Sequence, residues 1–242
     1  GAPGGVPPPT PRGAGGAAAS SPAMPGALPD AAPAPTATAT AQAPTDGALG
    51  EASTLERIRA NVAGIPARGL TLGRADAPVT IMEFADVACP HCRAAATDTL
   101  PAVIDGPVRS GDAKLRYVPV AFLSESSARG ARGVLAAANQ DAAWPFVEAI
   151  FHGQGDERTD WLNQAGMERI ARGLGLDVAR WRADYASPET RAQAERAMQE
   201  MRTANITGTP TFLISGPAGT ARVEGRQPAQ VLADAVTRAA GR

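Results

Sequence analysis

Apolar residues recur along the chain at changing intervals, and those intervals divide it into strands, helices and a long tract with neither. Val79-Thr80-Ile81-Met82-Glu83-Phe84-Ala85-Asp86 is β-branched and apolar almost throughout, the pattern of a buried strand. Arg93 to Leu100 is rich in helix formers, so the residues between form a strand-to-helix turn. Leu70-Thr71-Leu72 predicts an edge strand ahead of it. Leu115 to Phe122 predicts a strand after it, with Pro119 marking an irregular end because proline cannot donate to a ladder. The period then becomes helical: Ala128 to Asn139, Trp144 to Phe151, Trp161 to Leu174, Val178 to Tyr185 and Pro188 to Ala204. Gly173 and Gly175 suit a helix end, and Ser187-Pro188 is a cap followed by a first-turn proline. Strands return at Thr211 to Ser215 and Ala221 to Glu224. A last helix sets Val231, Leu232, Ala235, Val236 and Ala239 on one face and stops at Gly241. This order predicts an α/β fold, a small sheet with a helical block inserted in its middle.

Before all of these, Leu49 to Ala63 forms one short amphipathic helix with Leu55, Ile58 and Val62 on a face, ended by Gly64 and Pro66. It either docks on its own domain or serves as an oligomerisation segment. Residues 1–48 have no such period. Eleven of the 22 prolines fall in the first 44 residues, Arg12, Asp30 and Asp46 are the charges up to Gly50, and no aromatic precedes Phe84. Such a segment cannot bury enough apolar surface to offset its ordering entropy and is expected to be a disordered Ala/Pro/Gly-rich tether. The chain begins with Gly and has no basic stretch followed by an apolar one, so any export signal or membrane anchor is expected to lie outside it. A formal charge of −1 offers no footprint for nucleic acid or an anionic membrane.

The candidate chemistry lies in the strand-to-helix turn. Cys89-Pro90-His91-Cys92 contains both cysteines of the 242 residues. With Cys89 as the N-cap, Pro90 takes the first helical position, where its missing N–H is not needed. The Cys89 sulfur then faces unpaired backbone donors and the positive end of the helix dipole, and a protonated His91 adds charge nearby. These favour the thiolate and make Cys89 the attacking sulfur, while Cys92, about one turn deeper, waits as the resolving thiol. A zinc site would need His91 and His152 as further ligands, and His91 is held between its own two cysteines, so no metal is expected. A purely structural disulfide is also poor, since so short a loop removes little unfolded-state entropy. His152, at a helix end, reads as a capping or surface residue.

The run Gly73-x-x-Asp76-Ala77-Pro78-Val79-Thr80-Ile81-x-Glu83-Phe84-x-Asp86-x-x-Cys89-Pro90-His91-Cys92, with Gly208-Thr209-Pro210-Thr211-Phe212 downstream, resembles the DsbA-like thiol-disulfide oxidoreductases of the thioredoxin superfamily. The resemblance runs from residue 67 to the C-terminus. It implies a thioredoxin fold built from residues 67–122 and 206–242, interrupted by a helical domain at 123–205, with residues 49–66 as helix and linker. It further implies a cis Pro210 facing the cysteines, a Thr209 backbone free to pair with an extended substrate, and in Glu83 a buried acid that moves the proton of the deeper thiol. A lone glutamate in a strand could instead sit at a solvated edge.

The function this implies is donation of the Cys89-Cys92 disulfide to reduced exported polypeptides in the bacterial periplasm or envelope, without metal or organic cofactor. A membrane partner, a quinone-linked reoxidase, would restore the disulfide. Thiolate stabilisation also favours the reduced form, which is expected to resist unfolding better than the disulfide form. One alternative is a reductase or isomerase kept reduced by a membrane thiol donor, favoured if residues 49–63 dimerise. Another is a thiol-independent chaperone or adaptor, and replacing Cys89 by Ser separates that case. The tether could join the domain to the membrane.

Overall fold

The computed structural model describes residues 49–242; the predicted tether at 1–48 lies outside the described residues. Helix α1 (Ala52–Val62) leads into a hairpin of two short strands, β1 (Ala67–Arg68) and β2 (Thr71–Leu72). The central strand β3 (Val79–Ala85) follows, then a helical stretch over residues 90–108, β4 (Ala113–Pro119) and five helices: α4 (Glu125–Ala138), α5 (Ala143–His152), α6 (Gln164–Gly173), α7 (Val178–Ala186) and α8 (Pro188–Thr203). The hairpin β5 (Thr211–Gly216) and β6 (Gly219–Glu224) and helix α9 (Ala229–Ala240) complete the chain. The sheet order is β1-β2-β4-β3-β5-β6, with β3 parallel to β4 and antiparallel to β5. A parallel pair cannot be joined by a tight turn, and the helical stretch 90–108 supplies the crossover.

Strand alternation sorts the core into two layers. Val79, Ile81, Glu83 and Ala85 share one face of β3, in register with Leu115 and Tyr117 of β4 and with Phe212 and Ile214 of β5. This face carries the main core, to which α9 adds Leu232, Ala235, Val236 and Ala239, and α5 adds Trp144, Phe146, Ile150 and Phe151. On the opposite face Phe84 and Val118 pack with Ala197 and Met201 of α8 and with Ile206.

Several elements depart from the sequence pattern, each for a local reason. The helix after the cysteines is not regular: α2 (Pro90–Ala94) and α3 (Leu100–Val103) are separated and followed by π-helical turns at Ala95–Thr99 and Ile104–Val108. Pro101 and Pro107 lack the N–H and clash with the preceding turn, so the backbone widens around each, with a kink at Gly106 (φ −90°, ψ −105°). Strand β4 stops at Pro119, leaving Phe122 exposed. Strand β2 is not the sheet edge, because β1 lies outside it. Helix α4 starts at Glu125, ahead of the expected Ala128, because Ser124 and Ser127 form a capping box. Asn163 caps α6, which therefore begins after Trp161. Val231 of α9 is on the exposed side. Helix α1 spends its apolar face on its own chain: Leu55 and Ile58 are buried, and Arg59 Nη2 donates to the Gly173 carbonyl at 2.6 Å.

Candidate active site

The turn between β3 and α2 is set by Asp86. Its buried carboxylate accepts the Ala88 amide at 2.9 Å on one oxygen and those of Phe122 and Leu123 at 3.0 and 3.3 Å on the other, while its carbonyl accepts the Cys89 amide at 3.0 Å. One side chain thus closes the turn and ties it to the segment leaving β4. From the other side Gln154 Nε2 donates to the carbonyls of Val87 (2.6 Å) and Cys89 (3.1 Å). Helix α4 packs close because position 130 is glycine: a Cβ there would lie 2.3 Å from Val87 Cγ2. None of these three contacts was evident in the sequence. Asp86 belongs to the Gly73–Cys92 run, but nothing in the pattern marks Gln154 or Gly130.

Cys89 is the N-cap of α2, with φ −76° and ψ 121°, and Pro90 occupies its first turn. Both thiols are free. Cys89 is 6% exposed and Cys92 is fully buried. The Cys89 thiol is lowered to about 6, first by a hydrogen bond from Cys92, against the opposing effect of burial, and then by the Thr209 side chain and the backbone amides of Cys92 and His91. The His91 ring is not among these causes; it is exposed, and the position acts through its backbone at the helix terminus. Burial, and then the hydrogen bond and charge of Cys89, push Cys92 well above the usual thiol range. The pair therefore divides into a thiol ionised at neutral pH and a shielded thiol that is not.

The loop before β5 brings in the remaining positions. Thr209-Pro210 is a cis peptide, and the Cys89 thiol reaches the Thr209 carbonyl at 3.5 Å. Glu83 is in register with Tyr117 and Phe212 on the main-core face, so it does not sit at a solvated edge. Its Oε1 has no hydrogen-bond partner among the described residues. Burial, and secondarily the charge of Glu148, raise it to about 8. Glu148 went unnoticed in the sequence, although it is the single acid in the apolar run Ala143 to Phe151 and its helical spacing from Trp144 was a usable signal. His152 is exposed at the end of α5, as its sequence position suggested. Among the described residues no three His, Cys, Asp or Glu side chains gather as a metal site.

The model of the family described as Thioredoxin matches residues 67–226. Disulfide bond formation protein D of Bacillus subtilis is 29% identical over 147 residues, covering 60% of this chain and 66% of that protein. A thioredoxin-like oxidoreductase from Silicibacter pomeroyi superposes with a TM-score of 0.60 at 30% identity, covering 74% of this chain and 94% of its own. Oxidised BdbD from Bacillus subtilis shares the fold, with a TM-score of 0.64 at 22% identity, over 71% of this chain and 92% of its own.

Proposed function

Because this chain belongs to the DsbA-like thiol-disulfide oxidoreductases of the thioredoxin superfamily, we propose that it donates the Cys89–Cys92 disulfide to reduced polypeptides after their export. The observation that carries this reading is the asymmetry of the pair, one thiol lowered to about 6 at a helix N-terminus and the other buried and raised. A substrate thiolate attacks Cys89 Sγ, the Cys89–Cys92 bond breaks, and Cys92 leaves as a thiolate. Glu83, buried with its carboxyl protonated at neutral pH, supplies the proton that Cys92 takes up. A second substrate thiol, losing its own proton, attacks the substrate sulfur of the mixed disulfide and expels Cys89, whose lowered pKa makes it a good leaving group. The substrate leaves oxidised and the protein remains as the dithiol.

Thr209 supports substrate docking in this scheme, since its carbonyl already lies within reach of the sulfur that substrate must approach. Pro210 and Pro90 shape the two sides of that approach. The dithiol then needs an electron acceptor, and the class that fits an oxidising envelope compartment is a membrane reoxidase linked to quinone. Among the described residues no helix is long and apolar enough to cross a membrane. The dimeric isomerase alternative loses support from α1, whose apolar residues are already used within the chain.

The test is oxidative refolding of a reduced secreted protein by stoichiometric oxidised chain. The reading expects disulfides to appear in the substrate as the chain becomes reduced, and Cys89→Ser to abolish transfer. A chain that binds the substrate and prevents its aggregation equally well with Cys89→Ser would be a thiol-independent chaperone. A chain that instead reduces scrambled disulfides when supplied with a thiol donor would be a reductase or isomerase.

A further inference from the structure

Helix α5 packs into the same core as the sheet face that carries Glu83. Near its start Trp144 meets Tyr117 edge-to-face, with ring centroids 6.1 Å apart and an interplanar angle of 78°, and donates Nε1–H to the Leu70 carbonyl at 3.0 Å. Just past its end Gln154 holds the backbone of Val87 and Cys89. The helix is thus pinned at one end to the row containing Tyr117, the cross-strand neighbour of Glu83, and at the other to the cysteine turn. Glu148 lies one turn beyond Trp144, between these two anchors. The other buried residues of α5 are apolar, yet Glu148 is only 5% exposed and Glu83 only 1%. Each has an Oε1 without a hydrogen-bond partner among the described residues. Glu148 is hydrogen-bonded by Asn61, but one buried oxygen of each carboxyl stays unpaired, and that cost calls for a role.

We propose that Glu148 is a positioning residue for proton transfer at Cys92, its charge state governing when Glu83 can exchange a proton with the buried thiol. The proposal rests on the reading of Glu83 given above and extends it. The step is Glu83–COOH plus Cys92–S⁻ giving Glu83–COO⁻ plus Cys92–SH, with no change in total charge. With Glu148 neutral, the new Glu83 carboxylate is the single charge of the pair. With Glu148 ionised, the same step sets two buried anions against each other, and Glu83 keeps its proton. Burial raises Glu148 to about 8, with Asn61 of α1 acting in the opposite direction. Since repulsion is mutual, neither carboxyl owns the upper step of the titration.

The surrounding groups do not relieve this coupling. Tyr117 of β4 is raised by burial and then by the charges of Glu83, Cys92, Asp86 and Cys89, which places these acids in one electrostatic cluster. At the outer end of α5, His152 is lowered by burial and by Arg57 and Arg93, both exposed on the solvent side.

The experiment uses the full chain. Infrared titration of the buried carboxyl bands is followed in parallel with the pH dependence of resolution: Cys89 displaces one glutathione from glutathione disulfide to form the Cys89–glutathione mixed disulfide, and Cys92 then attacks Cys89 Sγ and expels the second glutathione. The unaltered chain is expected to show two interacting midpoints. Glu148→Gln is expected to leave one, lower than the upper step by about one pH unit, the interaction size at which two groups titrate as a pair. The resolution profile should move to lower pH by the same amount. Glu83→Gln should lower the Glu148 midpoint equally, because coupling is reciprocal. If Glu83→Gln removes the carboxyl-dependent limb while Glu148→Gln leaves the profile in place, Glu148 has no part and the reading of Glu83 stands. Failure of both variants to move it overturns both. Should Glu148→Gln not fold, two independent midpoints in the unaltered chain, unaffected by Glu83→Gln, would overturn the proposal.

Discussion

At Cys89 a single lowered pKa governs both reactivity and its limit. Ionisation near 6 leaves the thiol mostly thiolate at pH 7, whereas Cys92 stays protonated. Iodoacetamide is therefore expected to label Cys89 in the reduced protein with a midpoint near pH 6 and to leave Cys92 unmodified through pH 8, read by mass spectrometry of the tryptic peptides. Equal labelling of both would reverse the roles. Asp86 offers a separate test, because its carboxylate satisfies three backbone amides in a buried turn. Asp86→Ala strands these donors at about 1–3 kcal/mol each, so a loss of several kcal/mol in denaturant stability is expected, with Asp86→Asn recovering part of it. The sequence exposed Cys89 and Cys92 because they stand out by type, two cysteines in the whole chain, whereas Glu83 was marked only through the family resemblance. Glu148, Gln154 and Gly130 are common residues in helices and loops, and only the packing of α4 and α5 on the turn gives them meaning.

At the scale of elements, strand and helix identities were legible wherever one period ran long enough, as in β3, α8 and α9. What the pattern missed was backbone chemistry between neighbours. Within and past the predicted helical run Arg93 to Leu100, Pro101 and Pro107 accompany alternating α and π turns, and a Ser124–Ser127 box moves the start of α4. The contact between α4 and the cysteine turn gives a prediction of its own. In Gly130→Ala the added methyl would come within 2.3 Å of Val87 Cγ2, two residues from Cys89. Overpacking of this kind costs about 1–3 kcal/mol, and relief by shifting the turn would disturb the Cys92 hydrogen bond and the backbone amides that lower Cys89. The expected result is a lower denaturation midpoint together with an alkylation midpoint moved above pH 6. Lost stability with an unchanged midpoint would mean that α4 supports the fold but does not hold the cap.

Across the whole molecule, buried acids and the cysteine act on stability with opposite sign. Glu83 and Glu148 have folded-state values raised from 4.5 to about 8, so the native state binds more protons than the unfolded chain between those limits. Their contribution is fully present below about pH 4.5 and is lost as pH rises through about 8. Both redox forms should lose stability over that window, and Glu83→Gln should flatten the decline. Cys89 has a lowered value and is free to ionise only in the reduced form. Its contribution is full above about 9 and is lost as pH falls through about 6.

Below about pH 8 Cys92 is un-ionised in both folded and unfolded chains, so subtracting the oxidised from the reduced stability isolates Cys89 there, and the magnitudes decide what to expect. A three-unit shift stabilises the reduced form at pH 7 by at most about 1.4 kcal/mol, roughly 30 mV, because only the part of the shift below the ambient pH counts; partial exposure reduces it further. The disulfide acts against this, since even so short a loop constrains the unfolded chain by about 2 kcal/mol before native strain is considered. The sequence-level expectation that the reduced form is simply the more stable one thus becomes an expectation about pH. The gap should move in favour of the reduced form by up to about 2.5 kcal/mol between pH 5 and pH 8, with most of the change above pH 6. Guanidinium melts of both forms at half-unit pH intervals measure it. A gap that stays flat, or that shifts toward the disulfide form as pH rises, would mean that the helix terminus does not hold a thiolate at Cys89, and the oxidase reading would lose its driving force.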